Sequence, residues 1–328
     1  MLDLLIKQYA LTTNTNSFLN LLRLNSMYRF LLRNIGNILL PYYFTFRNKN
    51  SNFSLFSSKS NDSNKKNDDL LIVSLTSFPA RIDKLWMVIE SIFMQTHKPD
   101  KIILWISKEQ FDSIEILPVK LLKQCKRGLE IYLKEDDLGP HKKYFYTLEK
   151  HPKATFITID DDVLYPSNFI EIMLHYHNRY PKSIITNRSK QISVKEGLIE
   201  PYEKWPTLNK ERINKKNIIQ IGVGGVLYPP NSLSKLTVKK DLFMNACPKA
   251  DDLWLFFMSN LQNTLITKTK YNVNWLPLIY SNNITLSSEN RGKNLNDIQI
   301  QCIIKSLENH LDCQIRLDEK NGICWENN

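Results

Sequence analysis

Two groups of carboxylates hold most of the chemistry that this sequence could perform. Asp160-Asp161-Asp162 follows directly on 155–159, an apolar run with β-branched residues that reads as a buried strand. Three anions at one strand end repel one another, and the arrangement becomes favourable when a divalent cation sits among them. Oxygen ligands of this hardness suit Mn²⁺ or Mg²⁺, which can bridge a diphosphate and neutralise it as it leaves. An isolated acidic triplet reads more readily as a solvated turn; its company reverses that. The second group, Asp251-Asp252, opens an apolar helix expected to run to about 261. Carboxylates collect at helix N-termini for capping alone. One acid suffices for a cap, which leaves the other for general-base work on an acceptor hydroxyl.

Four further features are expected at strand ends or on loops facing the same rim. Arg81, in the turn that Thr76 opens, and Lys143 are cations able to meet phosphate oxygens. Asp137, in an acidic turn, is an acceptor for a nucleobase edge or a ribose. Gly222-Val223-Gly224-Gly225 would let backbone approach a sugar closely. Singly, each has an ordinary reading as surface charge, turn residue or bulge.

The elements that must position these residues alternate. Strands are expected at 70–75, 101–107, 129–133, 155–159 and 218–221. Helices are expected at 82–94, from the Gly139-Pro140-His141-Lys142-Lys143 stretch to 150, and from Pro166 to about 178. This βαβ order predicts an α/β fold with an open, mainly parallel sheet flanked by helices, whose ligand crevice lies at the carboxyl ends of the strands.

With those residues in view, the runs VSLTSFPARI (73–82), QTHKPDKIILWIS (95–107), TFITIDDDVLYP (155–166), GVGGVLYPP (222–230) and ADDLWLFFM (250–258) together resemble bacterial family-2-like glycosyltransferases of the GT-A fold, of the surface-polysaccharide type, over about 68–310. The resemblance implies a metal-dependent, inverting transfer of sugar from a nucleotide-sugar donor, usually a UDP-sugar, to a glycan or lipid-linked acceptor. It implies that Asp160 faces the donor ribose, that Asp162 binds the metal of a D-x-D motif with Asp160 beside it, and that Asp137 lies near the base. Thr76, Arg81, Lys143, Asp161, Gly224 and Gly225 would complete the donor site, and Asp251 or Asp252 would match the base, with Asp251 preferred as nearer the cap. The sequence departs from that pattern in two places. An Asp-Asp pair stands where many relatives have Glu-Asp, and Ser107-Lys108-Glu109 stands where an acidic turn is usual. A third metal ligand is sought in the C-terminal part, where His310 reads equally as a surface histidine.

Charge divides the 328-residue chain unevenly. In 1–67, nine Lys/Arg stand against Asp3 and Asp62, giving +7 of the formal +11 and leaving +4 for 68–328. The first 67 residues are expected to form a basic amphipathic extension and a polar linker, ahead of a catalytic domain at 68–328. Leu21, Leu24, Tyr28, Leu31, Ile35 and Leu39 recur every three or four residues, with Ser26, Arg29, Arg33 and Asn37 off that stripe. This predicts a helix in 18–46 that either lies on anionic lipid or packs on the domain with its arginines in water. Five scattered cysteines, without a C-x-x-C pair, argue for reduced thiols rather than a disulfide framework or zinc cage. No secretory signal or membrane span is read, so the expected setting is cytoplasmic, with peripheral attachment to the membrane's inner face as a variant. Two rivals remain. A sugar-phosphate nucleotidyltransferase would want glycines in the 76–81 turn, and a nucleic-acid-binding protein would want more charge in 68–328 and a recognisable motif.

Overall fold

The computed structural model describes residues 1–12, 24–50, 70–272, 275–280, 294–318 and 322–327. Two helices, α1 (Leu2–Leu11) and α2 (Asn25–Asn50), precede the α/β body. The body begins β1 (Leu71–Thr76), α3 (Ile82–Phe93), β2 (Lys101–Ser107), α4 (Val119–Cys125), β3 (Leu129–Lys134), α5 (Lys142–Lys150) and β4 (Thr155–Thr158). It continues through β5 (Val163–Leu164), α6 (Phe169–Arg179), β6 (Ile184–Thr186), β7 (Ser189–Gln191), the short pair β8 (Val194–Lys195) and β9 (Leu198–Ile199), β10 (Arg212–Lys215), β11 (Ile218–Gln220) and β12 (Val226–Tyr228). The chain ends with α7 (Lys240–Ala246), α8 (Asp251–Leu261), β13 (Ile266–Lys268), β14 (Leu276–Pro277), α9 (Leu295–Leu311), β15 (Cys313–Asp318) and β16 (Gly322–Asn327).

Eight strands form the main sheet in the order β10-β13-β6-β12-β4-β1-β2-β3. β3, β2, β1 and β4 run parallel, as do β6 and β13, while β12 lies antiparallel between β4 and β6 and β10 is an antiparallel edge. Strand residues alternate between two cores. Leu71, Val73 and Leu75 of β1, with Ile102, Leu104 and Ile106 of β2, join the core that holds α3 and α6. Ile72, Ile103, Trp105 and Phe156 point into the other, shared with α5, α8 and α9. Burial on both faces explains why these strands read as continuous apolar runs, as parallel strands covered by helices should.

Two expectations need correction. The strand before the glycine loop, β11, pairs with β7 in a separate ribbon, so it is β12 that fixes the loop to the sheet. On α2 the packing face is Leu32, Gly36, Leu40 and Phe44, all buried, whereas Leu24, Leu31, Ile35 and Leu39 of the expected stripe are exposed. Leu21 lies outside the described residues. The arginines face the protein: Arg29 donates to the Thr12 hydroxyl and carbonyl at 3.2 and 3.0 Å, and both Arg29 and Arg33 lie beside buried Tyr9. α2 is apolar on nearly every side, so periodicity alone could not select the buried face. Gly36 decides it, because a Cβ there would stand 2.8 Å from a methyl of Leu276.

No described helix is long and apolar enough to cross a membrane. All five cysteines are free thiols.

Candidate functional site

The triplet sits where the parallel strands end. Ile159 N–H donates to Ser74 O, which carries the β1–β4 ladder one residue past the strand and projects Asp160–Asp162 from the rim. Each carboxylate then meets a different partner. Asp161 is buried, accepting from the Ser77 hydroxyl at 2.6 Å and from Arg81 at 2.7 Å. Asp162 lies 3.0 Å from the same Arg81 nitrogen. Asp160 lies 3.2 Å from Lys143 Nζ, and its backbone N–H donates to the Tyr165 hydroxyl. Burial and Asp160 push the Asp162 carboxyl up to about 7, against the pull of Arg81. Burial likewise raises Asp161, with Arg81 and Ser77 opposing.

The second acid pair arrives on α8, which shares its core with α5. The N-cap of α8 is Ala250, and no side chain caps the helix, so Asp251 and Asp252 stand in its first turn with neither spent on capping. Asp251 pairs with Lys143 at 2.9 Å. Asp252 Oδ2 accepts the Gly222 N–H at 2.9 Å. Burial first, then Asp251, pushes the Asp252 carboxyl up to about 7. Lys143, only 5% exposed, is thus held between both acid groups. Burial works against its charge, yet Asp251, Asp160 and Asp252 together keep the ammonium well above the ordinary lysine range. That lysine is fixed by its place in the first turn of α5, whose backbone Lys143 O accepts from Ser74 of β1 at 2.5 Å.

The glycine loop closes the group. β12 pairs antiparallel with β4, Val226 opposite Thr158, so 222–225 must lie at the end of β4 where the triplet begins. Gly224 and Gly225 have φ of +95° and +82°, and a Cβ would strike Trp275 at 2.6 Å and Phe169 at 2.3 Å respectively. Asn187 Nδ2 supports the loop by donating to Gly224 O at 3.0 Å.

The structure therefore brings Arg81, Asp160, Asp161, Asp162, Lys143, Asp251, Asp252 and the Gly222–Gly225 loop into one network. Two expected donor residues have other partners. Thr76 donates its hydroxyl to Trp105 O at 2.8 Å, tying β1 to β2. Asp137 accepts from Gln110 at 2.6 Å, from Gly139 N–H at 3.0 Å and from buried Lys142. His310 is exposed in the last turn of α9. Residues missed in the sequence include Ser77, whose place in the same turn as Arg81 was a usable signal. Tyr280, which donates to Asp161 O at 3.1 Å across 119 positions, gave none. His141 is structural: it is fully buried, bonded to the Tyr144 hydroxyl and Cys247 O, and depressed by burial to about 4.

Asp160 and Asp162 suit Mn²⁺ or Mg²⁺ as an incomplete oxygen set. Among the described residues no cluster of three or more His, Cys, Asp or Glu stands ready to hold a metal ion. Mg²⁺ commonly takes one or two carboxylates and completes its shell with water and substrate phosphates. The three carboxylates of the triplet meet two cations, Arg81 and Lys143, and Lys143 is shared with Asp251.

No family model and no curated protein matches the sequence. Among solved structures, S. aureus TarS residues 1–349 in complex with UDP-GlcNAc aligns with a TM-score of 0.44 at 11% identity, covering 74% of this chain and 72% of that one. The inositol-1-phosphate CTP transferase of T. maritima gives 0.37 at 11% identity, over 72% of this chain and 96% of that one. An apo UDP-glucose pyrophosphorylase gives 0.39 at 8% identity, over 73% and 98%.

Proposed function

We propose that this chain is a glycosyltransferase that moves a sugar from a nucleotide-sugar donor, a UDP-sugar first among them, to a hydroxyl of a glycan or lipid-linked acceptor, with inversion at the anomeric carbon. One observation carries the reading: two acid groups from different elements meet across a single buried lysine, with a glycine loop between them. That gives one end able to manage a leaving diphosphate and another able to take a proton.

Asp160 and Asp162 would hold the Mn²⁺ or Mg²⁺. When bound, the cation supplies charge neutralisation for the departing diphosphate. Arg81, 3.0 Å from Asp162, would share phosphate oxygens with that group. The loop at 222–225 offers backbone without side chains beside the donor sugar. Asp252 takes the proton of the acceptor hydroxyl. A carboxyl near 7 is a stronger base than an ordinary aspartate while still ionising at neutral pH, and Gly222 N–H orients it. Asp251 instead neutralises Lys143 and through it fixes Asp160, the reverse of the preference drawn from sequence alone. A base opposite the leaving group converts an α-linked donor into a β-linked product.

The nucleotidyltransferase reading fares worse on its own requirement, since residues 76–81 carry no glycine to wrap a triphosphate. The deciding experiment is a screen of UDP-, GDP- and CMP-sugars for thermal stabilisation and slow donor hydrolysis, with Mn²⁺ and with EDTA. A parallel arm supplies nucleoside triphosphates with sugar phosphates. At least one sugar nucleotide should raise the melting temperature only with Mn²⁺. Pyrophosphate release in the triphosphate arm, with no response to any sugar nucleotide, would overturn the assignment.

A further inference from the structure

The outward face of α2 has no protein to cover it among the described residues. Met27, Phe30, Ile38, Tyr42 and Phe46 are 55–74% exposed, and Leu24, Leu31, Ile35 and Leu39 lie beside them at 38–46%. Eight large apolar side chains on one helix, with Leu24 just ahead of it, exceed the few hundred Å² that a soluble monomer ordinarily leaves bare. The amide and hydroxyl side chains on or beside this face fold back onto the helix's own carbonyls. Asn34 donates to Phe30 O at 2.8 Å, Asn37 to Arg33 O at 2.8 Å and Thr45 to Pro41 O at 2.7 Å, so little hydrogen-bonding capacity is directed outward. The two charges within 24–46, Arg29 and Arg33, lie toward Tyr9 and the body.

Charge selects the occupant. From residue 4 to residue 61 the chain has seven Lys/Arg and no Asp or Glu. Arg47 follows the apolar face directly, near Lys98 and Arg127, and Lys7 is exposed on α1, which packs along α2. A 26-residue helix is about 39 Å long at about 1.5 Å per residue. Its buried side is committed to Leu276 and the core, so it can only lie flat. An uncharged apolar strip with cations at its margin fits an anionic bilayer, where the rings enter the acyl boundary and the cations meet headgroups.

We infer that the outward face of α2, from Leu24 to Phe46, is a docking surface for anionic lipid bilayers. This holds whatever group the enzyme transfers. The test compares the full chain with a Phe30→Glu/Ile38→Glu variant, both changes lying on the exposed face and away from Leu32, Gly36, Leu40 and Phe44. Each is mixed with phosphatidylcholine vesicles, with or without phosphatidylglycerol, and sedimented; melting temperature and oligomeric state are measured without lipid. The full chain should sediment with the anionic vesicles, less at high salt than at low, and the variant should partition roughly tenfold or more weakly at an unchanged melting temperature. Three results would overturn the inference: a full chain that stays in the supernatant, a variant that sediments equally well, or a lipid-free dimer that the variant disperses, which would assign the face to a second copy.

Discussion

Asp251 and Asp252 are neighbours in sequence but keep different company, and that difference can be measured. Asp252→Asn should lower turnover by about 10²–10⁴-fold while sparing Mn²⁺-dependent stabilisation by the donor. Because burial raises the Asp252 carboxyl to about 7, the wild type should lose kcat/KM as pH falls through that value, and the Asn variant should lack this limb. A wild-type profile flat from pH 6 to 8 would remove Asp252 from the role of base. Lys143→Met should do something else, since it leaves Asp160 and Asp251 facing each other without the cation between them. Losing one partner of a buried ion pair costs on the order of 3–5 kcal/mol, so this variant should unfold at markedly lower denaturant concentration. Midpoints within the error of wild type would mean that water, not Lys143, balances the two acids.

At the scale of elements, the glycine loop is the most exacting piece. Gly225→Ala must hold an L side chain at positive φ, worth about 1–3 kcal/mol, before its overlap with the Phe169 ring is counted. Thermal denaturation should therefore place Gly225→Ala well below wild type, and pairing it with Phe169→Leu should recover part of the loss; equal melting temperatures would refute the packing described. Most element positions were legible beforehand. The expected 101–107 strand, the helix ending at 150 and the helix at 251–261 coincide with the observed elements, because each pairs a strong apolar pattern with a clear stop signal. The triplet and the Asp pair were legible for the same reason, as charges set against apolar runs. The lysine bridge between them was not. Lys143 and Asp251 lie on helices 108 positions apart, and only the stacking of α5 and α8 on one face of the sheet brings them together. The buried side of α2 was misread because Leu, Ile and Phe surround that helix, leaving a glycine as the one discriminating residue.

For the molecule as a whole, the site is a store of unfavourable charge. Asp162 and Asp252 have folded-state values of about 7, above those of an unfolded chain, so the native state binds their protons more tightly. This contribution to stability is complete below about pH 4 and lost as pH rises toward 7. Divalent cation should reverse it. Without donor, Mn²⁺ should raise the melting temperature more at pH 8 than at pH 5.5, and Asp162→Asn should remove the increment while making the cation-free protein more stable at pH 8. Equal Mn²⁺ increments at both pH values would place the cation elsewhere. The acidic triplet is tied to α2 through the strip at 276–280. Leu278 N–H donates to Asp162 O at 2.8 Å and Tyr280 to Asp161 O, while Ile279 N–H donates to Asn37 of α2 at 2.9 Å and Gly36 rests on Leu276. A helix proposed to read a bilayer and a triplet proposed to read a diphosphate therefore share one piece of backbone. Thermodynamic reciprocity gives that sharing a single number: the factor by which vesicles change donor affinity must equal the factor by which donor changes vesicle affinity. A factor of one would make the strip a rigid strut, and any other value would make it a two-way transmitter.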